Sequence, residues 1–169
     1  MHENLYQGVE SFFARAMAAR PGSFACRASC HGCCHGDLYV YAVEAKRIAA
    51  AFASLPLGTR QACGRRGERG EHCALLDPRS HRCLVYDDRP LVCRGFGLAT
   101  LFEGEVTWCP LNYTKQAPRA VDILDLEELN RRLTAIERRG SGGRLRRVRL
   151  ATIVQASTRK RGTVGRSPA

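Results

Sequence analysis

The chain of 169 residues has no long apolar run and few aromatic side chains. Phe, Trp and Tyr make up 7% of it, and Trp occurs once. No stretch approaches the roughly 18 consecutive apolar residues that cross a bilayer, so no membrane partner is expected. The first twenty residues are amphipathic and contain Glu3 and Glu10, which does not fit a secretory signal. These absences predict a cytoplasmic protein.

Motifs for nucleotide binding and for nucleophilic catalysis are also missing. The sequence contains no phosphate-binding loop, no Gly-x-Gly-x-x-Gly and no set of Ser, His and Asp typical of hydrolases. No catalytic residue is therefore predicted, and enzymatic activity is only an alternative function.

Acidic residues are scarce at one end of the chain. Residues 131–169 hold 12 Lys and Arg and a single acid, Glu137, so the net charge of +11 lies entirely there. Such a basic segment is typical of an arm for nucleic acid or another polyanion. Because no aromatic residue is interleaved to stack on bases, a solvated terminus without a specific partner is the competing interpretation.

The chain is rich in cysteine, with nine in all. Four lie within nine residues in the pattern Cys-x3-Cys-x2-Cys-Cys, and four more are spread along the middle of the chain. The cytosol keeps thiols reduced and nine is an odd number, so a metal site is favoured over a disulfide framework. The ninth cysteine, Cys63, is expected to take no part. The eight candidate metal ligands are Cys26, Cys30, Cys33, Cys34, Cys73, Cys83, Cys93 and Cys109.

Thiolates are ligands for zinc, for iron and for iron–sulfur clusters. The spacing is not that of a zinc ribbon, and three local cysteines with one distant cysteine come closer to the ligands of a cubane cluster. Successive side chains diverge, so Cys33 and Cys34 are not expected to bind the same ion. Eight thiols then divide into two four-ligand sites, or one site with structural thiols. A histidine close to a cysteine is a further candidate ligand, and there are four: His31, His35, His72 and His81.

The cysteine pattern resembles a known family over about residues 24–112. The stretches that carry the resemblance are Cys26-x3-Cys30-x2-Cys33-Cys34, Cys73-Ala-Leu-Leu-Asp, Cys83-Leu-Val-Tyr and Arg89-Pro90-Leu-Val-Cys93-Arg94. They are similar to the YkgJ family of cysteine-cluster proteins, which carries the CxxCxxCC motif and is described as zinc- or iron-chelating. The resemblance implies that the eight cysteines form the cluster. A flagellin lysine N-methylase shares the motif, which implies cluster-dependent redox chemistry or methyl transfer as an alternative function. A zinc-stabilised nucleic-acid binder is the second alternative.

Periodicity predicts the local structure. Apolar residues at helical spacing indicate three principal helices, over 3–19, 43–55 and 125–139. A helical turn at 91–94, a short strand at 37–41 and a hairpin around Glu103-Gly104-Glu105 are also expected. The Gly/Arg-rich residues 58–72 are predicted to be an exposed loop, residues 145–154 a final strand or helix, and residues 157–169 to be disordered. Residues 26–34 gather their thiols either as a helix or as a loop.

Together these elements predict a small, mostly helical α+β domain with a few short strands. The domain is expected to span residues 1–139 and to be organised around a cysteine-ligated metal site. A basic, partly disordered tail, residues 140–169, follows it. The site would substitute for core that so short a chain lacks, because metal binding and folding are coupled.

Overall fold

The structure is a computed structural model that describes residues 2–70 and 72–159. It is a small α+β structure, about half helical, as predicted. The helices in these residues are α1 (His2–Ala19), α2 (Ala42–Ser54), α3 (Leu57–Arg69), α4 (Leu91–Gly95), α5 (Leu126–Gly140) and α6 (Leu150–Arg159). The strands are β1 (Tyr39–Tyr41), β2 (Ala99–Phe102), β3 (Glu105–Thr107), β4 (Ile123–Asp125) and β5 (Arg147–Arg149). No helix in the described part of the chain is long and apolar enough to cross a membrane.

The described residues divide into two compact units. Unit 1 contains residues 2–33 and 89–146, and unit 2 contains residues 34–70, 72–88 and 147–159. The chain leaves unit 1 between Cys33 and Cys34, so two adjacent cysteines belong to different units. The boundary expected at residue 139, with a separate tail, stays a prediction.

Unit 1 is built on α1. Its buried residues Leu5, Val9 and Ala16 recur at helical spacing, and the helix packs against α4 and α5. A three-stranded sheet completes the unit, with β2 in the centre, antiparallel to β3 and parallel to β4. Left-handed backbone at Glu103 (φ 52°) and Gly104 (φ 78°) closes the β2–β3 hairpin. The predicted hairpin is thus confirmed.

Helix α5 begins as the sequence predicts. The Asp125 side chain accepts a hydrogen bond from the Glu128 backbone N–H at 2.8 Å, which satisfies one of the unpaired donors of the first turn. Leu129 and Leu133 are buried on its inner face. The helices expected over 3–19, 43–55 and 125–139 and the turn at 91–94 are all present.

Unit 2 has its own apolar core. Strands β1 and β5 pair antiparallel with Val40 opposite Val148, and α2 and α3 pack on α6. The largest fully buried apolar side chains of the unit are Phe52, Ile48 and Leu75. Val40 and Tyr41 of β1 are buried, and Ile48 and Phe52 lie at helical spacing on one face of α2, which explains why these short segments fold against one another.

Helix α3 corrects the prediction of an exposed loop over residues 58–72. Small residues line one face of this helix, and Cys63, Gly64 and Gly67 are buried there. A Cβ on Gly67 would lie 3.4 Å from the Ala74 Cβ and 3.6 Å from the Ala151 Cβ, so the glycine lets neighbouring elements approach closely. Arg60 is also buried, and its Nε donates to the Leu55 carbonyl at 3.0 Å, while Gly70 (φ 73°) ends the helix.

The C-terminal part corrects two more expectations. A strand and a helix both form where one or the other was expected, because β5 leads directly into α6. The prediction of disorder from residue 157 is wrong for residues 157–159, which complete α6. The described residues thus contain five helices of ten or more residues, where three principal helices were expected. Residues 160–169 lie outside the described residues.

Candidate metal centre

The cysteine-rich segment 26–34 is an irregular loop, so of its two predicted forms the loop is the one present. The Cys30 backbone N–H donates to the Arg27 carbonyl at 3.0 Å, and Ser29 adopts left-handed backbone (φ 70°) to close this turn. Cys26 is half-buried, whereas Cys30 and Cys33 are exposed. All nine cysteines lie in the described residues, and none of them forms a disulfide.

Four thiols of unit 1 form what we call group 1: Cys26, Cys30, Cys33 and Cys109. Burial raises the pKa of the Cys26 thiol, and the charges of the three other members raise it further. The Asn112 side-chain hydrogen bond lowers the same pKa. Like charges so close together favour either protonation of the thiols or the binding of a cation.

Asn112 connects the segments that carry group 1. It is buried, with 1% of its surface exposed. Its Nδ2 donates to the Cys26 Sγ at 3.3 Å and to the Gly97 carbonyl at 2.7 Å, while its Oδ1 accepts from the Ala25 N–H at 2.8 Å. Its own backbone N–H donates to the Cys109 carbonyl at 2.8 Å. The Asn112 side chain thus holds Cys26 in place and donates a hydrogen bond to its sulfur, which stabilises a thiolate.

Gly97 makes room for the Cys26 sulfur. It has a φ of 105°, which only glycine adopts readily, and a Cβ there would lie 2.8 Å from the Cys26 Sγ. Sequence reasoning singled out neither Gly97 nor Asn112, since no motif marks them and their contacts join residues far apart in the chain.

Cys93 lies half-buried on α4 and is followed by Arg94. Arg94 is buried, forms an ion pair with Glu10 and lies over the Tyr6 ring at 4.5 Å. It therefore holds α4 on α1. Asp88 pairs with Arg47, at 2.7 Å.

Three thiols of unit 2 form group 2: Cys34, Cys73 and Cys83. An isolated antiparallel bridge joins His35 to His72, and the Cys73 N–H donates to the Cys34 carbonyl at 3.0 Å. This register places Cys34 directly opposite Cys73, with their side chains on one face. The two histidines occupy the other face, which favours a surface role over replacement of these thiolates.

Cys73 lies at the start of a turn, which the Leu76 backbone N–H closes by donating to the Cys73 carbonyl at 3.0 Å. Burial raises the pKa of this thiol to about 11, and the nearby Cys83 thiol also raises it. Backbone hydrogen bonds from Leu75 and Leu76 lower the same pKa. These amide N–H groups donate to the sulfur and stabilise its negative charge, as is usual for ligands of a bound cation.

The ninth cysteine belongs to the core of unit 2. Cys63 is fully buried in α3, and Arg66 donates to its Sγ at 3.1 Å and to the Ala74 carbonyl at 3.2 Å. These contacts account for Cys63 as a packed core residue.

The two groups fit soft metals by their donor chemistry. Thiolates, hydrogen-bond donors to sulfur and a glycine that clears space around Cys26 are features of zinc and iron sites. Across residues 2–70 and 72–159, however, no three His, Cys, Asp or Glu side chains already stand as ligands around one point. Metal binding would therefore require the cysteine side chains to rotate, and the expected organisation around a formed site is not confirmed.

Residues 25–112 match a family model named CxxCxxCC, described as "Putative zinc- or iron-chelating domain". The chain belongs to this family. The match covers just over half of the chain and includes all nine cysteines, which confirms the resemblance to a cysteine-cluster family. No curated protein and no solved structure matches the chain.

Proposed function

We propose that this CxxCxxCC chain binds zinc or iron through two separate sets of thiols. Group 1 would hold one ion in unit 1, and group 2 a second ion in unit 2. Cys93 is proposed as a further ligand without an assigned group. The chemistry that either metal supplies here is Lewis acidity, and with iron also one-electron redox chemistry.

The observation that carries the proposal is the convergence of thiols distant in sequence. Asn112 ties the segment of Cys26 to that of Cys109, and the bridge in unit 2 sets Cys34 opposite Cys73. A fold that brings thiols together twice, and donates amide N–H groups to sulfur each time, favours bound cations over isolated thiols. The zinc- or iron-chelating description of the family supports the same function.

The positive charge of the basic segment is weak support for a polyanion partner, because some of its arginines make contacts within unit 2. The Arg147 guanidinium lies over the Tyr41 ring at 5.0 Å, and Arg149 pairs with Asp37 at 2.5 Å. These arginines stabilise unit 2, so part of the positive charge has a structural role. The nucleic-acid alternative therefore has no specific observation in its favour.

The test is a metal count on the full chain and its cysteine variants, purified without oxygen. We expect about two ions per chain, one for group 1 and one for group 2. Acid-labile sulfide identifies an iron–sulfur cluster. The double variant Cys26→Ser/Cys109→Ser should lose one equivalent, and Cys73→Ser/Cys83→Ser the other.

The matched control is Cys63→Ser, which changes a thiol in the core of unit 2 and should keep both equivalents. A chain without zinc or iron under these conditions would refute the proposal. Loss of both equivalents in either double variant alone would refute the separation into two groups.

A further inference from the structure

The two groups of thiols differ in their exposure. Cys30 and Cys33 of group 1 are exposed on an irregular loop. Cys73 and Cys83 of group 2 are half-buried and pack against the apolar core of unit 2. Structural sites enclose their metal, whereas sites that take part in reactions leave a position open to other ligands. Group 1 therefore resembles a site that leaves a position open to other ligands, and group 2 resembles a structural site that encloses its metal.

A cleft of about 300 Å³ lies beside the exposed thiol of Cys30. Arg27 and His31 contribute polar side chains to its wall, and Leu111 contributes an apolar one. Leu111 is 56% exposed, which leaves apolar surface for the body of a ligand. The cleft therefore adjoins a candidate metal ligand directly.

The chemistry of the wall indicates the kind of molecule that fits. Arg27 supplies a permanent positive charge, which attracts an anionic group. The His31 Nδ1 lies 2.9 Å from the Ser29 carbonyl. A carbonyl only accepts hydrogen bonds, so Nδ1 donates to it and the ring is held beside the cleft. A ligand that competes with thiolates for a soft metal must itself be soft, which requires sulfur.

We propose that the ion held by group 1 is cargo, and that the cleft at Cys30 receives a small anionic thiol that takes this ion over. The inference rests on the proposed metal binding. The sulfur of a first incoming thiol would bond to the ion as the bond to the Cys30 sulfur breaks, and further thiols would replace the other three sulfurs of group 1 in the same way. The proton of each incoming thiol would pass to the cysteine it displaces, and no electrons are transferred. Group 2 keeps its ion as a structural element.

The test uses the full chain loaded with zinc and a chromogenic chelator that reports release. Mercaptoacetate serves as the anionic probe, and 2-mercaptoethanol as a neutral thiol of similar size. We expect one zinc equivalent to leave in a fast phase that mercaptoacetate accelerates more than 2-mercaptoethanol does. Arg27→Gln should reduce that preference about threefold, as for one solvent-exposed charge pair. Arg65→Gln on α3 removes the same charge in unit 2 and should leave the preference unchanged.

Three results would overturn the inference. Equal acceleration by both thiols, or an unchanged preference in Arg27→Gln, would show that the cleft does not select an anion. A fast phase that persists in Cys26→Ser/Cys109→Ser would assign the labile ion to another site. Each of these leaves zinc binding itself intact. A chain that carries no zinc after loading would instead refute the proposed function.

Discussion

Asn112 shows how much a site can depend on a residue outside its ligand set. All the hydrogen-bonding atoms of its amide are used, by Cys26, Gly97 and Ala25. Its partner Cys26 is 86 positions away in the chain, so the contact exists only in the folded protein. Sequence patterns reveal the thiols because soft ligands are rare and clustered, but they do not reveal an amide that supports them.

Asn112→Asp should weaken metal binding by group 1. The variant keeps the shape and the carbonyl that accepts from Ala25, but it removes the N–H donors and adds a negative charge beside the Cys26 sulfur. Loss of a partner that supports a metal ligand typically costs 10–100-fold in affinity, and we expect a change of about that size. Competition titration with zinc measures the affinity. With cobalt as a probe, the sulfur-to-metal absorption band should also shift.

The control for that change is Asn4→Asp, which introduces the same charge at an exposed position of α1. It should alter neither the affinity nor the cobalt band. Equal affinities and identical bands in the wild type and Asn112→Asp would show that Asn112 serves the fold alone.

Asp122 gives unit 1 a dependence on pH. Arg119 donates to its carboxylate at 2.7 and 3.0 Å, and this hydrogen bonding holds the pKa of Asp122 below its usual range. A carboxyl group with a lowered pKa stabilises the fold above its unfolded pKa of about 3.9 and loses that contribution as pH falls through its folded pKa. Asp122→Asn should therefore cost roughly 1 kcal/mol at pH 7 and progressively less below pH 4.

Urea unfolding of both proteins at several pH values measures this difference. A cost that stays constant from pH 7 to pH 2 would show that the carboxylate charge contributes nothing. Asp87→Asn, at an exposed position of unit 2, is the control for the change in net charge.

At the scale of elements, α3 shows where sequence patterns mislead. Its glycines and arginines are typical of a loop, because glycine weakens an isolated helix by about 1 kcal/mol relative to alanine. Here the buried face contains Arg60 and three small residues, Cys63, Gly64 and Gly67, which allow close packing because they are small. Tertiary packing therefore overrides intrinsic propensity. Helices α1, α2 and α5 were predictable because their larger apolar residues recur at helical spacing.

Gly67→Leu should destabilise unit 2 by about 1–3 kcal/mol. The added side chain would extend beyond a Cβ position that already touches Ala74 and Ala151, so it would overpack the contact. Gly58→Leu is the matched control in the same helix, since nothing lies within 4 Å of a Cβ there. Thermal unfolding compares the two, and equal stabilities would mean that the close packing of α3 has no energetic importance.

At the scale of the whole molecule, one boundary between the two compact units falls between Cys33 and Cys34. The sequence indicates that adjacent thiols serve different ions, because successive side chains diverge. It does not indicate which distant cysteine joins which group, since that depends on the pairing of short segments such as His35 with His72. The eight candidate ligands could be listed from the sequence, but their division into two groups required the fold.

Removal of metal should lower the free energy of unfolding of the chain. The accompanying change in amide hydrogen exchange should be largest near the two groups of thiols. An ion that binds only the folded state stabilises it by about 2.7 kcal/mol at a free concentration 100 times its dissociation constant. Zinc added to the reduced, metal-free chain should therefore raise the unfolding midpoint, and Cys63→Ser should show the same rise. Amide hydrogen exchange should slow at Leu75 and Leu76, whose N–H groups hydrogen-bond to the Cys73 sulfur. Identical midpoints and exchange rates with and without zinc would contradict a metal role in folding, because a thiolate that binds an ion must hold these amides more firmly than a free thiol does.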